Sequence, residues 1–126
     1  MFKISFSFLL FFFVMHFSFA QVNPTDNKNI GLCNMYADTL KLDDLRTCTT
    51  ITIRSEKNIS VTSFTFAYYI TDKMNVKVIN GFSNSISKED LEQLLSIKPK
   101  KIFIQDVIGE GNSENFTLGH RTIYLK

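Results

Sequence analysis

A thirteen-residue run at positions 59–71, "ISVTSFTFAYYIT", constrains the fold more than any other part of the chain. Successive side chains of a β-strand point to opposite faces, so a period of two divides this run into two sets. One set is apolar and the other is mixed: Phe64, Phe66, Tyr68 and Ile70 against Ser63, Thr65, Ala67 and Tyr69. The run therefore predicts a strand with one face in the core and one face half solvated.

Shorter segments with the same period surround this run. We predict strands at 49–55, 74–80, 101–108 and 121–125, with a tight turn at Asp72 and Lys73. The segment 87–97 predicts the one helix, because Ser87 can cap it, leucines repeat at helical spacing and Pro99 ends it. The fold class is mainly β: a small antiparallel β-sandwich (Ig-like), or an antiparallel sheet capped by one short α-helix.

The first twenty residues have the pattern of a secretory leader. Lys3 precedes an apolar run, and Ser18 and Ala20 supply small residues before Gln21. An uncleaved membrane anchor is the alternative, but it needs about 20 clean apolar residues, and serines and His16 interrupt this run. We predict a signal peptide at 1–20, a flexible lead-in at 21–30 and one domain at 31–126. The mature protein would be exported, to the periplasm or outside the cell, with no membrane span.

Cys33 and Cys48 follow the predicted leader. In an oxidising compartment a disulfide is the default state of such a pair. Closing a loop of this size stabilises a fold by about 3 kcal/mol on the chain-entropy model. Zinc is the rival interpretation, but the mature chain has one histidine, His120, to complete a site.

Charge and motifs exclude several classes of function. The chain has 14 Lys and Arg against 12 Asp and Glu, so we expect no nucleic-acid partner. Gly109 and Gly111 lack the third glycine and the helix of a dinucleotide loop. Asp106 has no partner acid or base at useful spacing. We therefore expect no catalytic residues, no cofactor and no metal; we interpret Asp106 as a structural acid that accepts hydrogen bonds from the loop containing Gly109 and Gly111.

Three stretches, "ISVTSFTFAYYI", "IKPKKIFIQDVIGEG" and "HRTIYLK", resemble the C-terminal domain of the GldM family of gliding-motility and type IX secretion proteins, called PorM in some species. That domain has a "VxSF" strand and a helix that leads into a "KPGDxxxFEDI" strand; Lys100 and Lys101 replace its Gly-Asp. The resemblance implies a β-rich module of the cell envelope without catalytic residues. The matching positions are Val61, Ser63, Phe64, Lys98, Pro99, Phe103, Asp106 and Val107.

The function that we predict is therefore non-enzymatic protein contact in the cell envelope. Contact would be made through sheet edges, or through the aromatic and loop surface near Tyr69 and Phe116. A small secreted hydrolase and a secreted inhibitor or ligand-binding protein are the alternatives.

Overall fold

The computed structural model of the chain describes residues 26–71 and 75–126. The predicted leader, the first half of the lead-in and the turn at Asp72 and Lys73 lie outside these residues. Within the described residues, seven strands and one α-helix follow in chain order: β1 (Ile30–Leu32), β2 (Thr39–Leu40), β3 (Ile51–Ile53), β4 (Ser60–Thr71), β5 (Asn75–Gly81), α1 (Lys88–Ile97), β6 (Lys101–Gly111) and β7 (Glu114–Leu125), with a 3₁₀ turn at Leu42–Leu45.

A five-stranded sheet in the order β2-β7-β6-β4-β5 forms the main layer. Its pairs are antiparallel except β2 with β7, which are parallel. The strand predicted at 59–71 is confirmed as β4, and it lies in the interior of this sheet. The sheet therefore has β2 and β5 as its edge strands.

One face of the sheet carries the hydrophobic core. Phe64, Phe66 and Tyr68 are almost fully buried on it, as the alternation of β4 predicts. The prediction is wrong for Ile70, which is 36% exposed, because a register shift between Tyr69 and Thr71 interrupts the pairing of β4 with β5. We call this side the core face. The other core-face residues of the sheet include Ile102, Ile104 and Ile123.

The second layer covers the core face. It consists of the antiparallel pair β1-β3, the 3₁₀ turn and α1, which contribute Ile30, Ile51, Leu45, Leu91 and Leu94 to the same hydrophobic cluster. The predicted class, mainly β with one short helix, is confirmed. Of the two architectures considered, the helix-capped sheet matches, because the second layer contains only a short two-stranded sheet.

The ends of α1 follow the sequence signals. Ser87 is the N-cap, and its hydroxyl accepts a hydrogen bond from the Asp90 amide at 3.1 Å. Lys98 is the C-cap in the left-handed conformation, and Pro99 after it is buried. The helix predicted at 87–97 is thus confirmed within one residue.

The segment between the last two strands was wrongly predicted as a loop. Residues 109–120 belong almost wholly to β6 and β7, which meet in a turn at Asn112 and Ser113. Both turn residues have positive φ, 50° and 66°, as a two-residue type I′ hairpin turn requires. Gly111 lies within the strand, and this position requires glycine because an added Cβ would be 2.6 Å from the Asn58 carbonyl oxygen.

The predicted disulfide is confirmed. Cys33 and Cys48 are bonded, with their Cα atoms 5.9 Å apart. Cys48 is buried, and Cys33 packs against the core cluster. The bond therefore ties the loop after β1 to the loop before β3.

Candidate functional site

The face of the sheet opposite the core forms an apolar and aromatic surface, which we call the open face. Its residues follow from the strand register. Ala67 pairs with Val78 on one side and with Phe103 on the other, and Phe103 pairs with Thr122. One step along the strands, Tyr69 pairs with Val76, and Lys101 pairs with Tyr124. The open face thus comprises Ala67, Tyr69, Val76, Val78, Lys101, Phe103 and Tyr124.

Large apolar side chains on this face are exposed. Val76, Val78 and Tyr124 are each half exposed, at 50%, 52% and 50%. Ala67 is only 6% exposed although it lies on the same face. Its larger cross-strand neighbours, Phe103 and Val78, lie on either side of it. Exposed apolar surface of this kind is a feature of interaction sites.

Aromatic rings fix the shape of the open face. The rings of Tyr69 and Phe103 contact each other edge to face, with centroids 5.9 Å apart and planes at 84°. The Lys101 ammonium lies 5.3 Å from the Phe103 centroid and 5.8 Å from the Tyr124 centroid. Both distances fall within the range in which a cation is attracted to a ring face. Lys101 is therefore positioned by two aromatic side chains.

Polar side chains bound the open face along the strands. Thr65 pairs with Gln105 and with Asn80, and its hydroxyl lies 3.2 Å from Asn80 Oδ1. At the opposite boundary, exposed Lys100 lies beside the end of β7, because its carbonyl accepts a hydrogen bond from the Leu125 amide. The seven residues of the open face thus lie in two rows between these polar residues.

The two edges of the sheet differ. Beyond β7, β2 pairs with Tyr124 and Leu125, and the chain at Asp26 and Asn27 occupies the edge further along. There the Asn27 amide donates to the His120 carbonyl at 2.8 Å, and the Thr122 amide donates to the Asp26 carboxylate at 3.0 Å. Residues 26–30, predicted as lead-in, are therefore bound to the domain, because they satisfy backbone groups of β7.

The outer edge of β5 has no strand beside it within residues 26–71 and 75–126. Backbone N–H and C=O groups on such an edge can pair with a strand from another chain. The side chains of Val76 and Val78 lie next to this edge on the open face. Edge and face therefore form one continuous surface.

Sequence reasoning missed Arg121, which is 1% exposed. Its guanidinium donates to the carbonyls of Lys28, Ile30 and Tyr36 at 2.8, 3.0 and 2.7 Å, and to Asp38 Oδ1 at 2.9 Å. Hydrogen bonds from Lys28, then from Arg121, with the charges of both, hold the pKa of Asp38 below its usual value. One sequence signal could have indicated that Arg121 is buried: it precedes Ile123 by two positions and therefore shares a strand face with that buried residue.

The residues of the family resemblance do not form one site. Val61, Phe64 and Val107 are buried on the core side, Phe103 lies on the open face, and Ser63 is half buried. Lys98 and Pro99 form the exit of α1, as described above. The resemblance thus covers positions that shape the fold.

Asp106 differs from its predicted role. It is exposed, it has a φ of 49°, and it lies where the register of β6 with β7 shifts between Ile104 and Val107. Among the described residues no hydrogen bond to its carboxylate is found. Aspartate tolerates the left-handed conformation better than most residues. The backbone of the bulge therefore explains this residue, and the predicted hydrogen bonds from the Gly109 region are not present.

Tyr69 and Phe116, which we expected on one contact surface, lie apart. Tyr69 is on the open face, whereas Phe116 pairs with Gly109 near the β6–β7 turn, on the core side of the sheet. The Lys57 ammonium lies 5.3 Å from the Phe116 centroid. Near it an open depression of about 570 Å³ is lined by Asn29, Arg54, Ser55, Glu56 and Lys57. Glu56 is its one acid, and these five residues include no serine–histidine or paired-carboxylate arrangement.

Two further features concern metals and membranes. Within residues 26–71 and 75–126, no three His, Cys, Asp or Glu side chains lie close enough together to bind a metal ion. The same residues include no helix with the length and hydrophobicity that crossing a bilayer requires.

Comparisons with known proteins give no relative. No family model matches the chain, and neither a curated protein nor a solved structure matches it. The resemblance to the GldM family therefore stays a prediction from the motifs.

Proposed function

We propose that the protein is a non-enzymatic, exported interaction module of the cell envelope. It binds a protein partner through the outer edge of β5 and the open face. The observation that carries the proposal is the continuity of this unpaired edge with half-exposed Val76 and Val78.

The geometry supports strand addition to β5. An added strand would lie about 4.8 Å from β5 and place every second side chain on the open face. Those side chains would cover Val76 and Val78, which removes apolar surface from water at about 25 cal/mol per Å². The backbone would supply affinity, and the side chains would supply specificity.

Location rests on separate observations. The leader-like sequence at 1–20 and the bonded pair Cys33–Cys48 both support export, since disulfides persist in oxidising compartments. The motifs shared with the GldM family support the envelope of a cell with gliding or type IX secretion proteins. A genetic neighbourhood containing such components would strengthen this part of the proposal.

Site-specific photo-crosslinking in cells that produce the protein tests the proposal. A benzoyl-phenylalanine at position 78 should give a discrete crosslinked species with another envelope protein. The matched control is position 93, because Gln93 is also exposed but lies on α1, in the layer that covers the core face, on the side of the sheet opposite to the open face. Equal labelling at both positions, or none at either, would contradict the proposed surface.

A further inference from the structure

Lys101 is the cation at the centre of the aromatic part of the open face. Its ammonium lies within 6 Å of the centroids of two rings, Phe103 and Tyr124. No carboxylate among the described residues lies within ion-pair distance of it. The seven residues of the open face include no acid. The face therefore presents one positive charge without a partner of its own.

From this charge pattern we propose that the open face recognises a polypeptide segment that places a carboxylate on Lys101 and an apolar side chain against Val76 and Val78. This inference rests on the proposed function and names the chemistry of the partner. Lys101 and the valines of β5 are two strands apart, or about 10 Å. In a helix, residues i and i+7 are separated by about 10.5 Å along the axis, so a helical segment that crosses the strands can make both contacts.

Preorganisation favours such a contact. The two rings hold the Lys101 side chain in one region, so less rotamer freedom is lost when a carboxylate binds. Lys101 as a residue is half buried, and a charge pair at such a position is screened less than on open surface. Exposed Lys100 adds further positive charge at this end of the sheet.

The ring geometry argues against a sugar as the ligand. A pyranose stacks on an unobstructed ring face, whereas the faces of Phe103 and Tyr124 are turned to the Lys101 ammonium. Tyr69 and Phe103 are nearly perpendicular, so they form no flat platform. A carboxylate needs access only to the ammonium.

Selection from a random twelve-residue peptide library on the immobilised protein tests the proposal. Peptides enriched on the wild type should be rich in Asp or Glu beside apolar residues. Lys101→Gln should weaken them about tenfold, which corresponds to about 1.4 kcal/mol, and Lys101→Arg should restore binding. The matched control is Lys57→Gln, because Lys57 also lies 5.3 Å from an aromatic centroid but on the other side of the sheet. It should change affinity less than twofold.

Each outcome separates this inference from the proposed function. If the enriched peptides contain no excess of acidic residues but still bind Val78→Lys more weakly than the wild type, the carboxylate site is overturned and the proposed binding surface stands. Peptides that are indifferent to both substitutions would overturn both. Vesicles containing phosphatidylglycerol that bind through Lys101, with no acidic peptides enriched, would overturn the assignment to a polypeptide.

Discussion

Arg121 connects the N-terminal part of the domain to the main sheet, and its replacement should destabilise the protein strongly. The Arg121→Met variant removes the guanidinium and leaves an unbranched, apolar side chain that resembles the aliphatic part of arginine. Three backbone carbonyls then lose their donor, and the carbonyl of Ile30 lies in a buried position. The fourth contact, with Asp38, is replaceable, because Asp38 Oδ1 also lies 2.7 Å from Lys28 Nζ.

The magnitude follows from these contacts. Removing one partner from a buried charged arrangement costs about 3–5 kcal/mol of unfolding free energy. We expect the lower end, about 3 kcal/mol, since Asp38 is 63% exposed and two of the three carbonyl bonds are only partly buried. With a denaturant slope of about 1.5 kcal/mol per molar urea, the midpoint should fall by about 2 M.

Equilibrium urea unfolding with an unchanged slope measures this loss. Lys28→Met is the matched control, because it removes the other cation on Asp38, an exposed ion pair whose contribution is about 0–1 kcal/mol. The control should shift the midpoint by less than about 0.7 M. If Arg121→Met shifted it no more than the control, the central role of Arg121 would be refuted.

Four further predictions concern single features. At Asp106, alanine should lower the unfolding free energy by about 1 kcal/mol, whereas glycine and asparagine should be tolerated, because φ is positive there; equal losses by urea unfolding in all three variants would contradict this. The lowered pKa of Asp38 means that its contribution is complete above its ordinary value of 3.8 and is lost as pH falls through the lower folded value; in Asp38→Asn the difference between urea midpoints at pH 5 and pH 3 should shrink. Replacing Cys33 and Cys48 by serine should cost about 3 kcal/mol, and adding reductant should then have no further effect on the melting temperature. Lys77→Val should make the protein dimerise with increasing concentration in sedimentation, because it removes the one charge on β5, while the wild type should stay monomeric.

Sequence patterns predicted correctly the elements that depend on interactions between residues close in the chain. The alternation of β4 and the caps of α1 depend on residues close in sequence, and the structure confirms both. The first half of β7 was missed because the alternation of Phe116 and Leu118 does not continue into that of Arg121 and Ile123; Gly119, at positive φ, lies at the break. Its strand conformation depends on the turn at Asn112 and Ser113, which aligns it with β6. Pairing across the hairpin, and not the strand propensity of these residues, thus determines their strand conformation.

The burial of Arg121 and the open face could not be predicted for a different reason. The two terminal nitrogens of Arg121 donate to carbonyl groups that lie 85 to 93 positions away in the chain, and a sequence pattern does not reveal backbone acceptors. Val76 and Val78 alternate like core residues, yet the core face of β5 presents Lys77 and Ile79 instead. Which set faces the core is decided by the register with β4, and a shift of one residue would exchange them.

The two edges of the sheet, taken together, explain why one surface is available for a partner. The β7 edge is covered between Leu118 and Leu125 by β2 and by Asp26 and Asn27, which pair with its backbone groups there. On β5, Lys77 pairs with buried Tyr68 on the core face, and an inward charge of this kind disfavours pairing of two copies edge to edge. A partner that adds to β5 must therefore tolerate or neutralise Lys77 on one side while it covers Val76 and Val78 on the other. An acidic side chain on the core side of the added strand would neutralise Lys77, whereas Lys101 lies on β6, three strands from the added one, and must be met by a segment of the partner that crosses the open face.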